Sequence, residues 1–159
     1  MREEELVFSD DPAFVSAHSQ VFRLEVRGMR TLIIEDNPND ISIASRIART
    51  AGFEDIEVFT ALDGAIERIE QGLRGERSLP DAIILDLNLG HDNGYQALRR
   101  WRETWENSAM RMVVWTALGE QNRELCALFH VDAFVSKWKG EAALSKALHE
   151  ISGVSPVAV

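Results

Sequence analysis

Cysteine is nearly absent: Cys126 is the only one in 159 residues, so no internal disulfide can staple the fold. Proline is scarce, with four residues, and no repeat or low-complexity tract stands out. Long apolar runs are missing; stretches such as Ala82 to Leu85 extend four or five residues, too short to span a bilayer. The opening MREEELVFSDD carries acids where a secretory leader needs an apolar segment. A surplus of positive charge is lacking too, since 17 Lys and Arg stand against 26 Asp and Glu, for a net charge of −9. Nucleic acid binding draws on a basic stripe that displaces phosphate counterions, and this balance argues against it. A cytoplasmic chain with no membrane contact is the expectation.

What is present suits one globular domain. Hydrophobic residues make up 45% and charged residues 27%, ordinary values for a chain with a full core. From residue 30 onward, short apolar runs alternate with amphipathic segments. Thr31 to Ile34, Ile56 to Ala61, Ala82 to Leu85, Met112 to Trp115 and Ala133 to Val135 read as strands. Between them, Ile43, Ala44, Ile47, Ala48 and Ala51 recur at helical spacing, with Asn39 and Asp40 as caps. Asp63 offers a cap for a helix facing inward through Ile66, Ile69 and Leu73. Later helices carry Leu98, Trp101 and Trp105, then Leu125, Leu128 and Phe129, then Leu144, Ala147, Leu148 and Ile151.

Five strands alternating with five helices imply crossover connections, hence a parallel, doubly wound α/β sheet covered on both faces. The domain is expected over residues 29–152, with residues 153–159 as a tail. Residues 1–28 read as an N-terminal extension: Asp11-Pro12 starts a short helix, and Phe22, Leu24 and Val26 alternate with charge as in an edge strand.

In such sheets ligands sit beyond the carboxyl ends of the strands, and the polar residues fall there. Glu35 and Asp36 follow the first strand, Asp86 the third, Thr116 the fourth and Lys137 the fifth. One by one these are ordinary turn residues; together they line one edge. Three converging carboxylates repel, and Mg²⁺, which takes a few carboxylate oxygens and keeps waters, relieves that repulsion. A metal, a lysine, a hydroxyl and a carboxylate on a central strand suit phosphoryl transfer, with Asp86 as the nucleophile.

The stretches TLIIEDNPND, DAIILDLNLGHDNGYQAL, VVWTALGE and DAFVSKW resemble the receiver domain of two-component response regulators. The steps of 50 residues from Asp36 to Asp86, 30 to Thr116 and 21 to Lys137 fit that layout. The resemblance implies a flavodoxin-like strand order 2-1-3-4-5 and a stand-alone, single-domain type. It implies Asp86 as phosphoacceptor, Asp36 as a direct Mg²⁺ ligand and Glu35 as one through water. The backbone carbonyl of Asn88 matches the third metal ligand. Thr116 matches the switch hydroxyl, Ala117 the small residue after it, Lys137 the phosphoryl-pairing lysine, Phe134 the rotating aromatic and Gly94 the glycine that opens the third helix.

Three positions depart from that pattern. Trp138 stands where a cis proline usually follows the lysine, and cis before Trp costs roughly 2.5–4 kcal/mol over trans, so the lysine loop is expected to take another path. Gly90 replaces a frequent proline and should loosen the loop after Asp86; Phe134 lacks the hydroxyl of the common tyrosine.

The resemblance implies a signalling domain rather than an enzyme, though one that can take phosphate from small acyl phosphates and hydrolyse it. Its partners would be a sensor histidine kinase or phosphotransfer protein and a downstream protein target. With no room for an output domain after Lys137, the signal is expected to leave by protein contact, through the fourth helix, fifth strand and last helix. Homodimerisation is open through the last helix or the N-terminal strand. The alternative is a phosphorylation-independent scaffold or dimeric adaptor. A hydrolase with an aspartate nucleophile is disfavoured, because Asn88 is a poor proton donor where such enzymes place an acid.

Overall fold

The computed structural model describes residues 28–157. The helix read at Asp11-Pro12 and the strand read at Phe22 to Val26 lie outside the described residues. The elements run β1 (Met29–Ile34), α1 (Pro38–Thr50), β2 (Phe53–Phe59), α2 (Leu62–Leu73), β3 (Ala82–Leu85), α3 (Tyr95–Arg100), β4 (Arg111–Thr116), α4 (Gln121–Leu128), β5 (Ala133–Ser136) and α5 (Glu141–Ser152). Between β3 and α3, Asn88–Leu89 pairs antiparallel with Asp92–Asn93 in a small ribbon. The five main strands form one parallel sheet in the order β2-β1-β3-β4-β5. The doubly wound architecture and the strand order follow the expectation.

The alternation of side chains along each strand feeds two separate cores. Leu32, Ile34, Ile83, Leu85, Met112 and Val114 point to one side, where Leu62 and Ile69 of α2, Leu98 of α3, Trp101, Trp105 and Cys126 of α4 cover them. Ile33, Ile84, Val113 and Trp115 point to the other, against Ala44, Ile47 and Ala48 of α1 and Leu144 and Leu148 of α5. Burying each Ile, Leu or Val contributes on the order of 1.5–3 kcal/mol. A one-residue slip of a central strand would exchange its two faces.

Several local details differ from the sequence expectation. Asn37, not Asn39 or Asp40, caps α1; its side chain accepts from the Asn39 and Asp40 N–H groups at 3.0 and 3.1 Å. Pro38 then takes the first helical position, where its missing N–H is harmless. β2 begins at Phe53 rather than Ile56. Asp63 lies inside the first turn of α2, and the Leu62 N–H is capped from a distance by Asp92 at 2.9 Å. Leu73 is exposed, whereas Arg68 of α2 is buried, its guanidinium bound to both Glu57 oxygens and to the Ser78 carbonyl. On α4 Leu125 is half-exposed and Leu128 is 72% exposed, while Cys126 is buried, the packed thiol expected of a cysteine on this helix, and Phe129 just beyond it packs against the same core.

After α3 the chain widens into a π-turn over Trp101–Trp105, with the Glu106 N–H reaching back to the Trp101 carbonyl at 2.8 Å. That i→i+5 step places both tryptophans inward.

Candidate phosphoacceptor site

The backbone ladder fixes the two central acids. The Asp86 N–H donates to the Ile34 carbonyl at 3.0 Å, and the Glu35 N–H to the Phe59 carbonyl at 3.0 Å. Both residues therefore continue the sheet at the carboxyl ends of β3 and β1, where the winding direction reverses. Beyond β5, Lys137–Lys139 forms a short 3₁₀ turn that Ser136 caps by accepting the Trp138 N–H at 3.2 Å. No cis peptide bond occurs among the described residues. The Lys137–Trp138 bond is thus trans.

This turn delivers Lys137 to the acids. Its Nζ donates to Glu35 Oε2 at 2.6 Å, Asp40 Oδ2 at 2.7 Å and Asp86 Oδ2 at 2.8 Å. An ammonium has three N–H donors, and all three are used. Nζ also stands 4.8 Å from the centre of the Trp115 ring, a cation–π distance. Burial works against the Lys137 ammonium, but its hydrogen bonds to Asp40, Asp86 and Glu35 outweigh that and raise its pKa. Burial likewise lifts the Glu35 carboxyl well above the ordinary carboxylate range. Hydrogen bonds from Lys137 and from the Asn37 N–H oppose the rise, and the Asp86 charge adds to it. The second Asp86 oxygen accepts the Asn88 N–H at 3.1 Å, and 6% of the Asp86 side chain reaches solvent.

The structure thus joins Glu35, Asp86 and Lys137 in one hydrogen-bonded cluster and adds Asp40, which sequence reasoning had treated as a helix cap. An acid at a helix start is an ordinary cap signal, and Asn37 had already filled that role. Asp36 stays outside the cluster: it is exposed, and a side chain added at Gly90 would come within 3.0 Å of its carboxylate. Gly90 has φ +62° and turns the short antiparallel ribbon after Asp86. Gly94 is required by close approach, since a Cβ there would meet Leu87 Cα at 2.6 Å and the Asp86 carbonyl at 2.7 Å.

Thr116 is fully buried, and its Oγ1 accepts the Leu118 N–H at 3.3 Å instead of joining the acids. Phe134 packs on the edge of the core beneath the Arg123 guanidinium, 4.9 Å from its ring centre. Arg123 also donates to the Phe134 carbonyl at 3.2 Å.

Among the described residues no group of three or more His, Cys, Asp or Glu side chains could by itself hold a metal ion, and the three acids that do converge share the Lys137 ammonium. A largely hydrated cation needs less, one or two carboxylates with water and substrate oxygens. Asp36 and Asp86 flank the strand ends with hard oxygen donors only, and that chemistry fits Mg²⁺ or Mn²⁺ rather than a soft metal.

Comparison with known proteins agrees with the geometry. The family described as response regulator receiver domain matches residues 31–149, and the chain belongs to that family, the phosphoacceptor modules of two-component signalling. These are signalling domains rather than ordinary enzymes. Among solved structures, the phosphorylated cyanobacterial phytochrome response regulator RcpA is similar at 20% identity and TM-score 0.64, covering 83% of this chain and 100% of its own. The Mn²⁺-bound response regulator Rcp1 is similar at 22% identity and TM-score 0.60, covering 82% and 96%. The response regulator receiver domain from Rhodospirillum rubrum gives 19% identity and TM-score 0.63, covering 78% and 91%. At these identities the likeness concerns the fold. A search of curated protein sequences gave no match.

Proposed function

We propose that this chain is a response regulator whose receiver domain takes a phosphoryl group on Asp86 from a histidine kinase or phosphotransfer protein. It then signals through phosphorylation-dependent protein contact. The observation that carries the reading is the 2.8 Å contact between Lys137 Nζ and Asp86 Oδ2 at the switch point of the sheet. An Asp86 carboxylate oxygen attacks phosphorus, the bond to the donor's imidazole nitrogen breaks, and the electron pair leaves with the imidazole. The product is an acyl phosphate. Lys137 moves from the carboxylate to the new phosphoryl oxygens, a charge-assisted contact that is stronger than a neutral one. Thr116 gives up the Leu118 N–H and turns its hydroxyl to the phosphoryl group.

Asp36, Asp86 and the Asn88 carbonyl would hold Mg²⁺, with Glu35 behind them through water; the bound ion supplies neutralisation of the phosphoryl oxygens. The neighbour described as Mn²⁺-bound supports a divalent site of this kind. Output would leave through α4, β5 and α5, where Leu125 and Leu128 are exposed and Arg123 clamps Phe134. We take residues 29–152 as the receiver, flanked by the extension and the tail, in the cytoplasm.

One observation favours the scaffold reading: Lys137 is fully engaged and Asp86 nearly buried, as in a site that has closed on itself. Incubation with a small acyl phosphate and Mg²⁺, followed by tryptophan emission, separates the two. Trp115 lies against Lys137, so a phosphoacceptor changes emission in a Mg²⁺-dependent manner. Constant emission together with constant mass supports the scaffold.

A further inference from the structure

Lys137 reaches Asp86 from a turn whose peptide bonds are trans, and two contacts explain how. Asp40, on the first turn of α1, takes one of its N–H groups at 2.7 Å. On the other side Trp138, 81% exposed, points its indole N–H at the Ala117 carbonyl at 2.9 Å. Ala117 directly follows Thr116, so that bond ties the lysine turn to the loop after β4. An indole this exposed gains little from burial; its one strong contact is that hydrogen bond.

We infer that Asp40 and Trp138 are positioning residues that together hold Lys137 over Asp86. The inference rests on the phosphoacceptor reading of the site. Glu35 and Asp86 alone would leave one ammonium donor unmatched, and the turn would keep only its internal bonds, the Ser136 cap and the Gly140 N–H to the Lys137 carbonyl at 3.4 Å. The Asp40 carboxylate fixes the side chain; the Trp138 indole fixes the backbone that carries it.

Acetylation of lysines with an N-hydroxysuccinimide ester in the full chain, read peptide by peptide by mass spectrometry, tests this without reference to phosphorylation. Lys137 is 13% exposed and held by three acids, so it labels slowly, while Lys146, 79% exposed, serves as reference. Asp40→Ala is expected to raise the Lys137 labelling rate roughly tenfold, the effect of losing one hydrogen bond to a charged group. Asp40→Asn gives an intermediate rise, and Asp40→Glu, which returns a carboxylate, brings the rate back toward wild type. Trp138→Phe keeps the ring, removes the N–H and gives a smaller rise.

Lys146 labelling stays constant throughout, which separates local release from unfolding. Unchanged Lys137 labelling in both Asp40→Ala and Trp138→Phe overturns the inference, as does failure of Asp40→Glu to restore protection. With acetyl phosphate as donor, the phosphorylation rate of Asp86 at saturation falls in the variants in parallel with lost protection. If the wild type gains no phosphoryl group, the phosphoacceptor reading fails, while the labelling series still decides the tether.

Discussion

Replacing Lys137 by methionine removes the cation but keeps an unbranched side chain of similar length. Glu35 is 1% exposed and Asp86 5%, so both carboxylates would be left buried without a partner ammonium. Breaking one side of a buried ion pair costs about 3–5 kcal/mol. The cost depends on pH, because a buried carboxyl can escape it by keeping its proton. Burial already raises the Glu35 carboxyl, and Lys137 is the chief group opposing that rise, ahead of the Asn37 N–H; in Lys137→Met it goes higher still.

A carboxyl whose folded pKa lies above its unfolded value contributes stability at low pH, which is lost as pH climbs from near 4.5 toward the folded value. The gap between wild type and variant should therefore widen with pH. At about pH 5.5 we expect about 1.5 kcal/mol, the hydrogen bonds alone; at about pH 8.5, the full 3–5 kcal/mol. Urea unfolding at both pH values, in chelator and with unchanged m, measures it. A gap under about 1 kcal/mol, or one equal at the two pH values, refutes the reasoning.

Two further outcomes follow from the cores. Trp105 is fully buried and its indole N–H has no acceptor among the described residues; Trp105→Phe removes that orphan donor and should stay within about 1 kcal/mol of wild type in urea, whereas Trp105→Ala should cost about 3–5 kcal/mol. Burial pushes the Cys126 thiol up to about 11 from 9.0, so it resists thiol reagents near neutral pH until the chain unfolds. Its folded pKa being the higher, stability falls between about pH 9 and 11, by up to about 1.4 kcal/mol per pH unit, and Cys126→Ala lacks that share of the decline.

The sheet was legible because its central strands are buried on both faces and read as unbroken apolar runs, such as Ala82 to Leu85. The strand-end rule then located Glu35, Asp86 and Lys137 before any distance was known. Asp40 was hidden because an acid at a helix start has a simpler local explanation, and only the fold brings it 97 residues along the chain to Lys137. On α4 the packed thiol of Cys126 was legible from its place on the helix, but periodicity alone overrated Leu125 and Leu128, which share a face that the sheet leaves exposed. The pair of buried Arg68 with partly exposed Glu57 joins a helix to an edge strand, a tertiary fact with no local signal.

The central claim is that Asp86 carries the phosphoryl group. Peptide mapping after treatment with acetyl phosphate and Mg²⁺ tests it most directly, with hydroxylamine used to cleave acyl phosphates. We expect one hydroxylamine-labile phosphoryl group on the peptide containing Asp86, absent in Asp86→Asn and in chelator. A phosphoryl group on another residue, or one that survives in Asp86→Asn, contradicts the account.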